Sequence, residues 1–236
     1  MNKLWKKFER ASQKCYTEML TESADLKLWN EAYNALLDAV EDERSRRADY
    51  AKELYELDEE TDYEYDVEGW LEDYMDELEL HDEFDTLIQV CRHIIQMFQW
   101  KEVSPAGLRF RIAAALGSQR KSEEAHRFCE EWYNQEPDHI LAATATVYGR
   151  IEVRDMDGAQ QIIDRYITDD TDCTDDNDIM FIAAETFYKV KGNKKAEKKI
   201  LKAIRRYEKE MEEFFEGMED IDIDGFDLLD EDLPFN

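Results

Sequence analysis

The stretch SEEAHRFCEEWYNQEP at 122–137 places Ala125 near its head and spaces Cys129 and Trp132 four and seven residues beyond it. Four and seven residues carry a chain once and twice around an α-helix, so these side chains share one face. Ser122 is the residue type that caps a helix start, and Pro137 cannot continue one. The layout returns in DGAQQIIDRY at 157–166, where Ala159 follows Ala125 by 34 residues and leads Ile163 and Tyr166. It returns again in KKAEKKILKAIRRY at 194–207, where Ala196 comes 37 residues later and leads Ile200 and Ala203. A small residue lets two helices approach closely, and the apolar residues beyond it fill the groove between pairs.

Working outward, the punctuation is regular. Ser104 is placed to cap a helix with Pro105 at its first position, and Gly117 with Ser118 closes it. Asp138 is placed to cap the helix after Pro137, 155–158 is a short turn, 169–178 is an acidic loop, and Gly192 with Asn193 breaks the last pair. Upstream, helical stripes run through Leu4, Phe8, Ala11, Cys15 and Met19, then through Trp29, Ala32, Tyr33, Leu36 and Val40. Ala48, Ala51, Leu54 and Tyr55 are expected to resume that pattern, and 58–66 to form a loop. Val67, Trp70, Leu71, Tyr74 and Leu78 mark a further helix, and Phe84, Leu87, Ile88, Cys91, Ile94, Ile95 and Phe98 another.

A period near 34 residues is that of the tetratricopeptide repeat, and residues 104–215 resemble that family. Ala113 and Ala184 fit its small position in the first helix of a repeat, where Val147 stands in the middle copy, and Pro137 fits its terminal proline. The resemblance implies an all-α fold: a right-handed α-solenoid of antiparallel helix pairs over 58–216. Residues 1–57 would be capping or dimerising helices, and 217–236 an acidic, flexible tail. It further implies a groove lined by the first helix of each pair, with Phe110, Thr144, Tyr148, Phe181, Glu185 and Tyr188 facing it. Members that clamp a terminal carboxylate use Lys and Asn at such places. Here Phe110, Ala114, Thr144, Tyr148, Phe181 and Glu185 stand there, so that clamp is absent. The implied function is non-catalytic binding of a protein or peptide.

Charge adds a second possibility. The 236 residues carry 59 acids against 30 Lys and Arg, a formal charge of −29 that repels nucleic acid and anionic lipid. From 53 to 91 there are 17 acids and no Lys or Arg, and from 210 onward there is again no base. An acidic protein that binds a basic partner, as a DNA-mimic inhibitor or a chaperone does, is the alternative. Between 189 and 209 the sign flips, with ten bases against Glu197 and Glu208, so that stretch can pair with an acidic one inside the fold. No 18-residue apolar run is present, and the basic start at 1–10 lacks the apolar core of a secretory signal. Four scattered cysteines, Cys15, Cys91, Cys129 and Cys173, suggest buried, reduced thiols and a cytoplasmic location.

Motifs of catalysis are missing: there is no P-loop, GxSxG, GxGxxG or HExxH. No metal or cofactor is expected. Glu123 and His126 make one ExxH pair, where a di-iron bundle needs two. Cys91 and His93 point about 200° apart on a helix, so they do not join His126 and Cys129 around one ion. The tail residues Asp220, Asp222, Asp224, Gly225 and Glu231 fit a calcium-loop spacing, but Asp227 takes its usual apolar position and Pro234 blocks an exit helix.

Overall fold

The computed structural model describes residues 3–19 and 26–219, with backbone alone for 216–219. Eleven helices occupy these residues and no strand does. The chain divides into two compact units, Met1–Val153 and Arg154–Asn236. Among the described residues no helix is long and apolar enough to cross a membrane.

The first unit holds α1 (Lys3–Met19), α2 (Leu26–Arg46), α3 (Glu56–Glu60), α4 (Val67–Leu80), α5 (Phe84–Met97), α6 (Ala106–Ser118), α7 (Ser122–Gln135) and α8 (Ile140–Glu152). Neighbours in sequence pack as neighbours in space: α1 on α2, α4 on α5, α5 on α6 and α7 on α8, while α6 touches both α7 and α8. Trp5, Phe8, Ser12 and Cys15 repeat every three or four residues and make the buried face of α1. That face meets α4, where Phe8 stands edge-on to Trp70 at 5.1 Å. Trp29, Trp70 and Tyr74 stack with centroids 5.5 to 6.2 Å apart. The N-terminal helices therefore share one continuous core with α4 and α5.

Between α7 and α8 the approach is closer. A β-carbon at Gly149 would stand 3.2 Å from the His126 α-carbon, so glycine sets the spacing there. The expected helix at 48–55 does not form. Ala51 takes a left-handed backbone (φ 40°), and the α2 side chain Arg44 seizes that bend: its guanidinium donates to the carbonyls of Tyr50, Ala51 and Met97 at 3.2, 2.5 and 3.0 Å. Three caps also shift. α6 starts at Ala106, with Pro105 in the cap position. Ser122 is the first residue of α7, its hydroxyl donating to Glu152 at 3.3 Å. α8 is capped by His139, whose Nδ1 accepts the Leu141 N–H at 3.3 Å, rather than by Asp138.

The second unit holds α9 (Met156–Tyr166), α10 (Asp178–Lys191) and α11 (Lys194–Glu219), with α10 packed on both others. Asp155 caps α9 by accepting the Gly158 N–H at 3.0 Å. Gly192 ends α10 at φ 73° with nothing near its would-be β-carbon, so the backbone sign alone calls for glycine.

Candidate functional site

The site is built in the second unit, from the charge pattern noted in the sequence. Two of the α11 cations meet the acidic loop before α10. Lys199 pairs with Asp169 at 2.6 Å, Arg206 with Asp172, and the Tyr207 hydroxyl donates to Asp175 at 3.2 Å. The loop is tied down by its own polar side chains: Asn177 Nδ2 donates to the Asp172 carbonyl and Asn177 Oδ1 accepts the Thr174 N–H. The Lys199 ammonium holds the Asp169 carboxyl below its usual range, and Asp172 pushes the Arg206 guanidinium up.

Beneath these pairs α10 and α11 leave a cleft of about 550 Å³, within the size range of ligand sites. Phe181, Tyr188, Ala196, Ile200 and Ala203 contribute its apolar lining. Phe181 is 1% exposed and acts as floor, fixed by α10 packing. Tyr188 is half-buried, and its hydroxyl accepts from Gln160 Nε2 at 2.9 Å while Lys191 donates to Gln160 Oε1 at 3.0 Å. Lys199 and Arg206 line the cleft already paired. Lys202 lines it with no ion-pair partner among the described residues. Among the described residues the cleft thus offers apolar contact, the Lys202 cation and the Asp164 carboxylate, which accepts from Gln160 Nε2 at 2.8 Å, and its lining holds neither thiol nor imidazole.

The six groove residues expected from the sequence separate between the units. Phe181 and Tyr188 line this cleft together, while Glu185 is half-buried on the same helix. In the first unit Phe110 is half-buried against a cluster of Ala106, Ala113, Cys129, Trp132, Ala142 and Ala145. Thr144 is 0% exposed and Tyr148 half-buried. Thr144 is therefore a core side chain and presents nothing to a ligand. The sequence reading passed over Lys202. Its signal was there, in a helix that interleaves Ala196, Ile200 and Ala203 with lysines.

The remaining motif residues do not converge. Cys91 Sγ lies 3.6 Å from Met75 Sδ, and His93 Nδ1 lies 3.1 Å from the Tyr33 hydroxyl. Glu123 is exposed, and His126 instead faces Glu130 at 3.9 Å. Among the described residues no group of three or more His, Cys, Asp or Glu could hold a metal ion. All four cysteines are free and buried, and burial pushes Cys91 and Cys129 up to about 12 and Cys15 and Cys173 to about 11. The calcium-loop spacing at Asp220–Glu231 lies outside the described residues.

Several acids of the 53–91 run prove structural. Glu53 is buried and accepts the Lys101 N–H at 3.2 Å, Asp58 is buried at the head of α4, and Glu77 is buried in α4. Comparison with known protein families, curated proteins and solved structures found no match.

Proposed function

We propose that the chain is a non-catalytic protein-interaction module of stacked helical hairpins, similar to a right-handed tetratricopeptide solenoid, that works in the reducing cytoplasm. The observation that carries this is the cleft of the second unit. It is open, apolar at its floor, edged by Lys202 and built on α10 and α11 with the segment 167–172 contributing to its lining. Its shape and chemistry suit a peptide side chain or short segment with an apolar residue beside an acid.

The test is a photo-crosslinking amino acid in place of Ala203, which also lines the cleft, with capture from native cytosol, carried by the wild-type chain and by the pair Tyr188→Ala and Lys202→Glu. Partners crosslinked through position 203 and lost in the pair support the cleft. Partners retained by the pair remove it. Phe181→Ala is a poor probe, because it empties a fully buried core position and destabilises the unit.

The acidic alternative keeps one specific support. Glu59, Asp62, Glu64 and Asp66 remain exposed around the turn after α3. A partner held there is released between roughly 50 and 300 mM salt, whereas one held by the apolar floor is not.

A further inference from the structure

The chain is strongly acidic, yet α1 concentrates positive charge on one face. Lys3, Lys6, Lys7, Arg10 and Lys14 are all exposed. At about 100° per residue they fall within an arc of roughly 100°, a stripe about 16 Å long. Lys3 and Lys7, Lys6 and Arg10, and Arg10 and Lys14 are like charges one turn apart, an arrangement that destabilises a helix. Lys7 is neutralised by Asp38 of α2 at 2.9 Å. Lys3, Lys6, Arg10 and Lys14 have no ion-pair partner among the described residues.

The stripe forms one wall of a groove. A cavity of about 660 Å³ lies between α1 and α2, lined by these five cations, by Leu4 and Ala11 of α1, and by Leu28 and Ala35 of α2. Among the described residues Glu31 is the one acid in its lining. A wall of cations beside an apolar floor fits a ligand that carries carboxylates and apolar side chains on adjoining faces.

We propose that this α1–α2 groove docks an acidic amphipathic helix of a partner protein, with carboxylates every three or four residues against the lysine stripe and apolar side chains against Leu4 and Leu28. A membrane fits less well. A helix that binds a bilayer inserts its apolar face, but Trp5, Phe8 and Cys15 of α1 are 4%, 0% and 1% exposed and already committed to the core. A nucleic-acid duplex would bring a long line of phosphates towards a surface of net negative charge.

The test is fluorescence anisotropy of the full chain with a labelled peptide built from Leu-Glu-Glu-Leu-Ala-Glu-Ala heptads. Saturable binding is expected. Lys6→Glu with Arg10→Glu should weaken it by roughly tenfold, because attraction becomes repulsion at two contacts. Lys195→Glu with Lys198→Glu, which makes the same change of net charge on exposed residues of α11, should weaken it less than about twofold. Lys3→Glu with Lys14→Glu repeats the test should the first pair lose its circular-dichroism signature. No binding, equal weakening by the α1 and α11 pairs, or undiminished binding of the peptide with Gln in place of Glu overturns the proposal. So does binding of phosphatidylserine vesicles in preference to the peptide.

Discussion

The carboxylate of Asp58 accepts the backbone N–H of Val67 at 2.5 Å, and its second oxygen accepts that of Glu68 at 3.1 Å. Asp58 thereby caps α4 from nine residues upstream. The residue in the ordinary cap position, Asp66, is left-handed (φ 44°) and makes no side-chain cap bond. Helix starts leave N–H groups without partners, and a carboxylate there also meets the positive end of the helix dipole. Removing it by Asp58→Ala is expected to cost about 1–2 kcal/mol, while Asp58→Asn, which keeps one acceptor oxygen, costs less. All five tryptophans lie in the first unit, so urea unfolding followed by tryptophan fluorescence reads this loss without interference from the second. An unchanged midpoint for Asp58→Ala would remove the capping role.

Glu68 titrates against this arrangement. Burial, and then the charges of Asp58, Glu72 and Asp66, hold its carboxyl above the usual range. The folded state therefore binds this proton more readily than the unfolded chain, and stability is lost as pH rises through that window. Glu68→Gln removes the charge and keeps the backbone bond to Asp58. Its urea midpoint is expected to exceed that of the wild type at pH 7, with the advantage shrinking to nothing as pH falls below the unfolded carboxylate value. A constant advantage across the range would show that charge is not the cause.

These two acids also show how far the sequence could be read. Helices with an uninterrupted three-and-four spacing, such as Phe84–Met97, are legible because one face alone must be apolar. The burial of Cys15, Cys91 and Cys129 is legible for the same reason, since each lies on such a face; that of Cys173 is not, because it lies in the loop before α10. Asp58 is not, because its role depends on a turn that brings residue 58 to the start of a helix nine residues later. Local charge density presents it as solvent-facing loop. Likewise Thr144 sits at a groove position by register, yet tight packing of small residues around it on α8 buries it. Register predicts direction around a helix, but not what covers that side. Phe181 and Tyr188 do meet at one cleft, because they lie seven residues apart on α10 and so share a face.

Arg44 is the second contact invisible to sequence spacing. Its three carbonyl partners come from the bend after α2 and from the end of α5, and its guanidinium also lies over the Phe98 ring at 4.9 Å. It supplies donors to two chain segments that have no secondary structure to satisfy them. Arg44→Ala leaves those acceptors unpaired and is expected to cost about 3 kcal/mol, among the larger single-site effects. Arg44→Lys should recover less than half of that, because an ammonium lacks the planar fork. Both are read by the same tryptophan signal. A lysine variant as stable as wild type would mean that charge, rather than fork geometry, holds the bend.

Thiol chemistry can follow each unit separately. Burial raises Cys91 and Cys129 to about 12 and Cys173 to about 11, so at pH 8 the thiolate fraction of each is about one in a thousand or less. The thiolate is the reactive form, and burial also bars the reagent. Labelling of the native chain by an aromatic disulfide reagent is therefore expected to proceed only through opening, far below the rate of an exposed thiol. Cys173 lies in the second unit and the other three in the first. Peptide mapping of labelled protein across a urea series gives one curve for Cys173 and another for Cys129. In the variant Asp58→Ala, the Cys91 curve should move to lower urea because α4 and α5 share one core, and the Cys129 curve should follow because α7 belongs to the same compact unit. Fast labelling of Cys173 in the absence of urea would show that the acidic loop, held by Lys199 and Arg206, does not close over it.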